Sequence, residues 1–197
     1  MTRANHEITR DDLMAMDAYG AIRKDKRAEV SAIKRDRRVG VGPFATFYFE
    51  NYDTMWSQIH EMLFIEKGGE AQIDDELTAY NPLIPKGKEL VATLMFEIPN
   101  PEQRDRELRR LTNVEDTISL KIGEAVIAAV PEGDVERTKA DGKTSSVHFI
   151  KFPMTDDQVA AFRDDAQTVV LQIDHANYGH MAVLPPAARA ALKGDFD

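Results

Sequence analysis

The 197-residue sequence contains no cysteine. That excludes disulfides, thiolate nucleophiles, Cys-ligated zinc and a Cys-held iron–sulfur cluster on this chain. Any metal would have to be held by His, Asp, Glu or backbone oxygen. The sequence also lacks a run of eighteen apolar residues, and Met1-Thr-Arg-Ala-Asn-His-Glu7 has no apolar stretch behind it. The expectation is therefore a cytoplasmic protein with neither a secretion signal nor a membrane span. A Walker loop, a Gly-rich dinucleotide fingerprint, a Gly-x-Ser-x-Gly elbow and a His-Glu-x-x-His pair are all missing. The common phosphate, hydride and hydrolase chemistries thus have no motif to rest on. No fixed-period repeat, low-complexity tract or Pro/Ser-rich linker divides the chain. It reads as a single domain over residues 1–197, with an N-terminal tail over about residues 1–8.

With 43% hydrophobic and 30% charged residues, the composition is that of an ordinary globular protein long enough to bury its own core. The net charge of −9 argues against general affinity for nucleic acid, which depends on Lys and Arg displacing counterions from phosphate. One segment has the opposite sign. Arg23, Lys24, Lys26, Arg27, Lys34, Arg35, Arg37 and Arg38 outnumber Asp25, Glu29 and Asp36, which gives that stretch about +5 and the remainder about −14. Two readings stay open: a solvated helix docked on the protein's own acidic surface, and an interaction surface for a partner. Of possible partners, another protein or a second copy of the chain fits the overall charge better than nucleic acid or anionic lipid.

Periodicity and turn residues order the elements. The spacing Thr9-Arg-Asp-Asp12 predicts a capped helix over residues 9–19, and residues 23–36 a second, basic one ended by Val39-Gly-Val-Gly-Pro43. Residues 45–50 are rich in β-formers, and Asn51 can cap a helix running to about residue 67. Gly68-Gly69 stops that helix and residues 70–80 resume it, which suggests a helical hairpin ended by Asn81-Pro82. Beyond it, strands are expected at 91–98, 117–122, 125–130, 145–152, 168–173 and 181–184. Helices are expected after Asn100-Pro101, Thr155 and Pro185-Pro186. Clustered strands and unevenly placed helices give an α+β fold, with a mixed or mainly antiparallel sheet, an N-terminal helical segment and a central helical hairpin.

Two sets of residues are candidates for chemistry. At 100° per residue Met55, Trp56, Ile59, Met62 and Leu63 form an apolar stripe with Glu66 near its centre, so Glu66 is expected to be buried while Glu61 faces away. Glu76 lies between Ile73, Leu77 and Tyr80 in the same manner. Two inward carboxylates are open to three roles: structural acids bonded to Arg, Tyr or backbone, ligands of a divalent metal, or an acid/base pair. The second set is His148, His175 and His180, with Asp174 and Tyr178 as supporting groups around the turn Asp174-His-Ala-Asn-Tyr-Gly-His180. Three imidazoles suit a metal, while histidines in short turns also serve as hydrogen-bonded caps. His60 projects away from the stripe, near Ser57 and Phe64, and reads as a surface residue or a secondary contact, and His6 falls in the tail.

Several blocks stand out in combination: Gly42-Pro43, Phe49-Glu50-Asn51, Gln58-Ile-His-Glu-Met-Leu63 with Glu66, Tyr80-Asn-Pro-Leu-Ile-Pro85, Ala92-Thr-Leu94, Ser145-Ser-Val-His-Phe149 and Asp174-His175. Together they resemble the bacterial domain-of-unknown-function family 3501 over nearly the whole chain. The resemblance carries no catalytic role to any residue. It implies a setting in redox metabolism or oxidative stress, beside rubrerythrin-like proteins and an iron–sulfur protein of the heterodisulfide-reductase type. A chain without cysteine would serve there as a non-catalytic accessory or binding protein. The alternative is a metal-binding protein or metal-dependent enzyme that uses Glu and His ligands.

Overall fold

The computed structural model describes residues 6–132 and 142–197. Near its start Thr9 donates its N–H and its hydroxyl to the Asp12 carboxylate, at 2.9 and 2.8 Å. The turn so closed, Arg10–Asp12, ends after three residues in extended backbone at Leu13. It does not open the helix expected over residues 9–19, because α2 (Tyr52–Glu66) takes the backbone groups that a helix would need. The Trp56 indole N–H donates to the Asp12 carbonyl (2.9 Å), and the Met14 N–H donates to His60 Nε2 (3.0 Å).

The two expected N-terminal helices are one, α1 (Met16–Arg35), which runs straight through Gly20. A Cβ at Gly20 would lie 2.9 Å from the Phe64 ring, so this glycine permits close approach of α1 to α2 instead of breaking the helix. Residues 6–8 are not a loose tail. Ile8 is buried and exchanges backbone hydrogen bonds with the Asn81 side chain, at 2.8 and 2.9 Å. Residues 1–5 of the expected tail lie outside the described residues.

The central expectations hold. Asn51 caps α2 (Tyr52–Glu66) by accepting from the Thr54 N–H, and Lys67 in left-handed backbone closes it. Gly69 then opens α3 (Glu70–Tyr80). Asn100 with Pro101 starts α4 (Pro101–Arg110), Thr155 caps α5 (Asp156–Arg163), and Pro186 begins α6 (Pro186–Leu192). Among the described residues no helix is long and apolar enough to cross a membrane.

The strands make two antiparallel sheets. The first holds β1 (Arg38–Val41), β2 (Ala45–Phe49), β3 (Glu89–Phe96), β7 (Val147–Pro153) and β6 (Val130–Pro131), in that order. The second has the order β5 (Ala125–Ala128), β4 (Ile118–Ile122), β8 (Val169–His175) and β9 (Tyr178–Val183). β1 lies where the sequence reads as a loop, since Gly42 at φ +70° turns the chain into a hairpin that sets Val41 opposite Ala45.

Alternation along the first sheet divides its two faces. Val39, Phe47, Phe49, Ala92, Leu94, Ile150 and Phe152 point inward and join Leu120, Leu171 and Ile173 of the second sheet in one apolar core. On the outer face Val91 and Phe149 meet Met55, Ile59 and Leu63 of α2 in a second core. Two polar groups tie these parts together. The Tyr178 hydroxyl donates to the Val41 carbonyl (2.8 Å) and accepts from the Phe44 and Ala45 N–H groups (2.9 Å each), which joins the β8–β9 hairpin to the β1–β2 turn. Arg37, also buried, donates to the carbonyls of Phe49 (2.9 Å) and Glu50 (3.0 Å) and pairs with Asp195.

Tyr178→Phe should lower the unfolding free energy by roughly 1–3 kcal/mol in urea titration, because three backbone groups lose one shared partner. Arg37→Met should cost more, about 3–5 kcal/mol, since Asp195 is left charged and buried. If the two variants proved equally mild, the ranking of these ties would be wrong.

Candidate ligand-binding site

The helical hairpin does bring Glu66 and Glu76 to one place, around an amide. Gln72 Nε2 donates to Glu66 (2.8 Å) and to Glu76 (2.7 Å), while Gln72 Oε1 accepts from the Gly68 N–H (2.9 Å). Glu76 is buried as expected, but Glu66 is exposed, because the last turn of α2 runs past the edge of its apolar core. The partly buried, ion-paired carboxylate of α2 is Glu61, which the helical phase assigned to the outside. It accepts from the Tyr19 hydroxyl (2.7 Å) and from two nitrogens of Arg23 (2.8 Å each), because α1 packs on that side. For the same reason His60 is fully buried, not a surface residue. Its Nδ1 donates to the Trp56 carbonyl at 2.7 Å, its ring stacks on Trp56, and burial pushes its pKa below the usual 6.5.

The three candidate histidines lie apart. His148 is buried on the inner face of β7, with Nε2 3.0 Å from the Ser145 carbonyl and Nδ1 3.8 Å from Glu115. His175 caps its hairpin, donating from Nε2 to the Thr112 carbonyl (3.2 Å) and accepting from the Asn177 N–H (3.1 Å). His180 is exposed on β9, its ring centroid 4.6 Å from that of Tyr178. Asp174 is exposed, and the Tyr178 hydroxyl is committed to backbone groups, with burial raising its pKa. Among the described residues no three His, Asp or Glu side chains gather where they could hold a metal ion.

The basic segment is not one surface. Arg23 is engaged by Glu61, Lys26 pairs with Glu29 (2.8 Å), and Arg35 lies 3.6 Å from Asp36. Arg37 is interior, the carbonyls and Asp195 having drawn it in. Lys24, Arg27 and Arg38 remain exposed, and Lys34 is half-buried.

Lys34 leads to a site that the sequence did not single out. Between α2, α3 and the outer face of the first sheet lies a cavity of about 450 Å³, within the usual range for small-molecule sites. Strand alternation places Tyr48, Thr93, Met95, Val147 and Phe149 on that face, while Met55, Gln58 and Tyr80 line it from the hairpin. Its charged groups are Lys34 and Glu50. Glu50 follows β2 and is only 6% exposed. One carboxylate oxygen accepts from the Thr54 hydroxyl (2.7 Å), the other from the Thr93 hydroxyl (2.8 Å). Among the described residues no Lys, Arg or His forms an ion pair with this carboxylate, and Lys34 has no acidic partner either. A buried charge held by two neutral donors retains acceptor capacity for a further, stronger donor. The signal for Glu50 was the alternation that sets Thr46, Tyr48 and Glu50 opposite Ala45, Phe47 and Phe49. What lay across from it was not visible in the sequence.

An α+β protein of two antiparallel sheets with a helical layer over one of them, and a polar-floored cavity beneath that layer, describes the class. Residues 7–196 match the profile of the family described as protein of unknown function (DUF3501), and the chain belongs to that family. It is similar to a crystal structure described as a novel protein of unknown function from Burkholderia pseudomallei. That similarity has a TM-score of 0.89 and 38% sequence identity, covering 96% of this chain and 99% of that one. No curated protein matches the chain.

Glu61→Gln should cost roughly 1–3 kcal/mol at pH 7, and Glu66→Gln less than about 0.5 kcal/mol. Hydrogen bonds from Arg23 hold the Glu61 carboxyl below its usual pKa. Its stabilisation is therefore present above the unfolded value of about 4.3 and is lost as pH falls through the lower folded value. The stability gap between wild type and Glu61→Gln should accordingly narrow as the pH falls below about 4.3, and a gap that stayed constant into acid would contradict the assignment.

Proposed function

We propose that the chain is a non-catalytic binding protein whose ligand occupies the Glu50 cavity. The observation that carries this reading is a buried carboxylate with spare acceptor capacity on the wall of a cavity of about 450 Å³. Tyr48, Tyr80, Phe149, Met55 and Met95 provide apolar surface there, and no histidine is among the lining residues. That composition suits holding a small molecule better than transferring protons at neutral pH.

An accessory role in a cytoplasmic redox or oxidative-stress system belongs to the same proposal. Its support is the family resemblance, which points to a rubrerythrin-like or iron–sulfur partner, and the lack of cysteine, which leaves any thiolate-held redox centre to that partner.

The test is a small-molecule screen read through the methyl resonances of Met55 and Met95. Binders should shift both signals and lose affinity by tenfold or more in Val147→Trp, a variant that fills the cavity from β7. Binders that left both methyl groups unmoved, or bound Val147→Trp as tightly as wild type, would refute the site.

A further inference from the structure

We infer that the Glu50 cavity selects a small zwitterion with an apolar body, its ammonium facing Glu50 and its anionic group facing Lys34. This rests on the binding role proposed above and names the ligand's charge pattern. Two formal charges of opposite sign line one cavity, one at the end of β2 and the other in the last turn of α1. Neither is neutralised by an ion pair among the described residues, and they are not paired with each other.

Each simpler ligand fits less well. A neutral apolar molecule would strip water from both charges and return nothing for it. A lone cation would satisfy Glu50 but displace the solvent around Lys34, and a lone anion would face the Glu50 carboxylate. A molecule with both charges satisfies the two ends, and its body lies between the rings of Tyr48, Tyr80 and Phe149. Aromatic surface also favours a cationic nitrogen nearby. Thr54 and Thr93 hold the Glu50 oxygens by their hydroxyls, so the acceptor is oriented before any ligand arrives.

Four probes of one shape separate the possibilities: L-phenylalanine (zwitterion), phenethylamine (cation), 3-phenylpropionate (anion) and 2-phenylethanol (neutral), each titrated against the full chain and read at the Met55 and Met95 methyl groups. Phenylalanine should bind tightest, by roughly tenfold or more, since each charge-assisted hydrogen bond is worth about that factor. Glu50→Gln should weaken phenylalanine and phenethylamine but not 3-phenylpropionate. Lys34→Met should weaken phenylalanine and 3-phenylpropionate but not phenethylamine. Equal binding of phenylalanine and 2-phenylethanol, or a preference for either singly charged probe, would overturn the zwitterion assignment and leave the cavity as a binding site. If none of the four moved either methyl group and the screen's binders mapped elsewhere, the binding role itself would fall. Should Glu50→Gln fail to fold, the wild-type ranking and the Lys34→Met series decide the matter.

Discussion

Arg37 is the side chain on which the rest of the arrangement leans. A guanidinium has five donors in a fixed plane and cannot be neutralised by losing a proton, so burying it requires acceptors on several sides. Here they come from the end of β2, from the Ala191 carbonyl in α6 and from the Asp195 carboxylate. Burial pushes the Asp195 carboxyl up while the charge of Arg37 pulls it down, so each makes the other tolerable inside. The bond to the Glu50 carbonyl has a further effect, because it fixes the backbone of the residue whose side chain faces the cavity. An interior ion pair on one side of β2 thereby sets the geometry of the cavity-facing carboxylate on the other.

The first sheet does two jobs with two faces. Its inner face is apolar apart from His148 and meets the second sheet. Its outer face is only partly roofed, since the helical hairpin covers Val91 and Phe149 and stops short of Met95, which is 36% exposed. A cavity forms where a covering layer ends above a pleated surface, and the residues at that boundary are free to be polar on one side and aromatic on the other. The Gln72 zipper between Glu66 and Glu76 keeps the two helices of the roof together at their Gly-Gly turn.

Local chemistry made much of this legible. Asn51, Asn100 and Thr155 announce helix starts through short-range capping bonds, and Gly68-Gly69 marks the hairpin because no longer-range force competes there. The failures share one cause, which is a tertiary neighbour that periodicity cannot see. Glu61 and Glu66 exchanged roles because α1 packs along the flank of α2, and the helices expected over 9–19 and 23–36 join into one where Gly20 admits the Phe64 ring. Arg37 looked like part of a solvated charge run, yet its acceptors are contributed by residues more than a hundred positions away as well as by nearby carbonyls. Glu50 could be assigned to a strand face from its neighbours. Thr93, across the sheet, could not.

The distance in sequence between Arg37 and Asp195, 158 residues, also bears on how the protein is made. Closing so long a loop carries a large entropic cost, and on the ribosome it cannot be attempted until residue 195 has left the exit tunnel. Until then β1, β2 and the helical hairpin can pair locally, but Arg37 lacks its counter-charge, and the backbone carrying Glu50 lacks part of its anchor. The cavity wall at Glu50 thus gains its last backbone anchor late in synthesis, after both sheets have their strands.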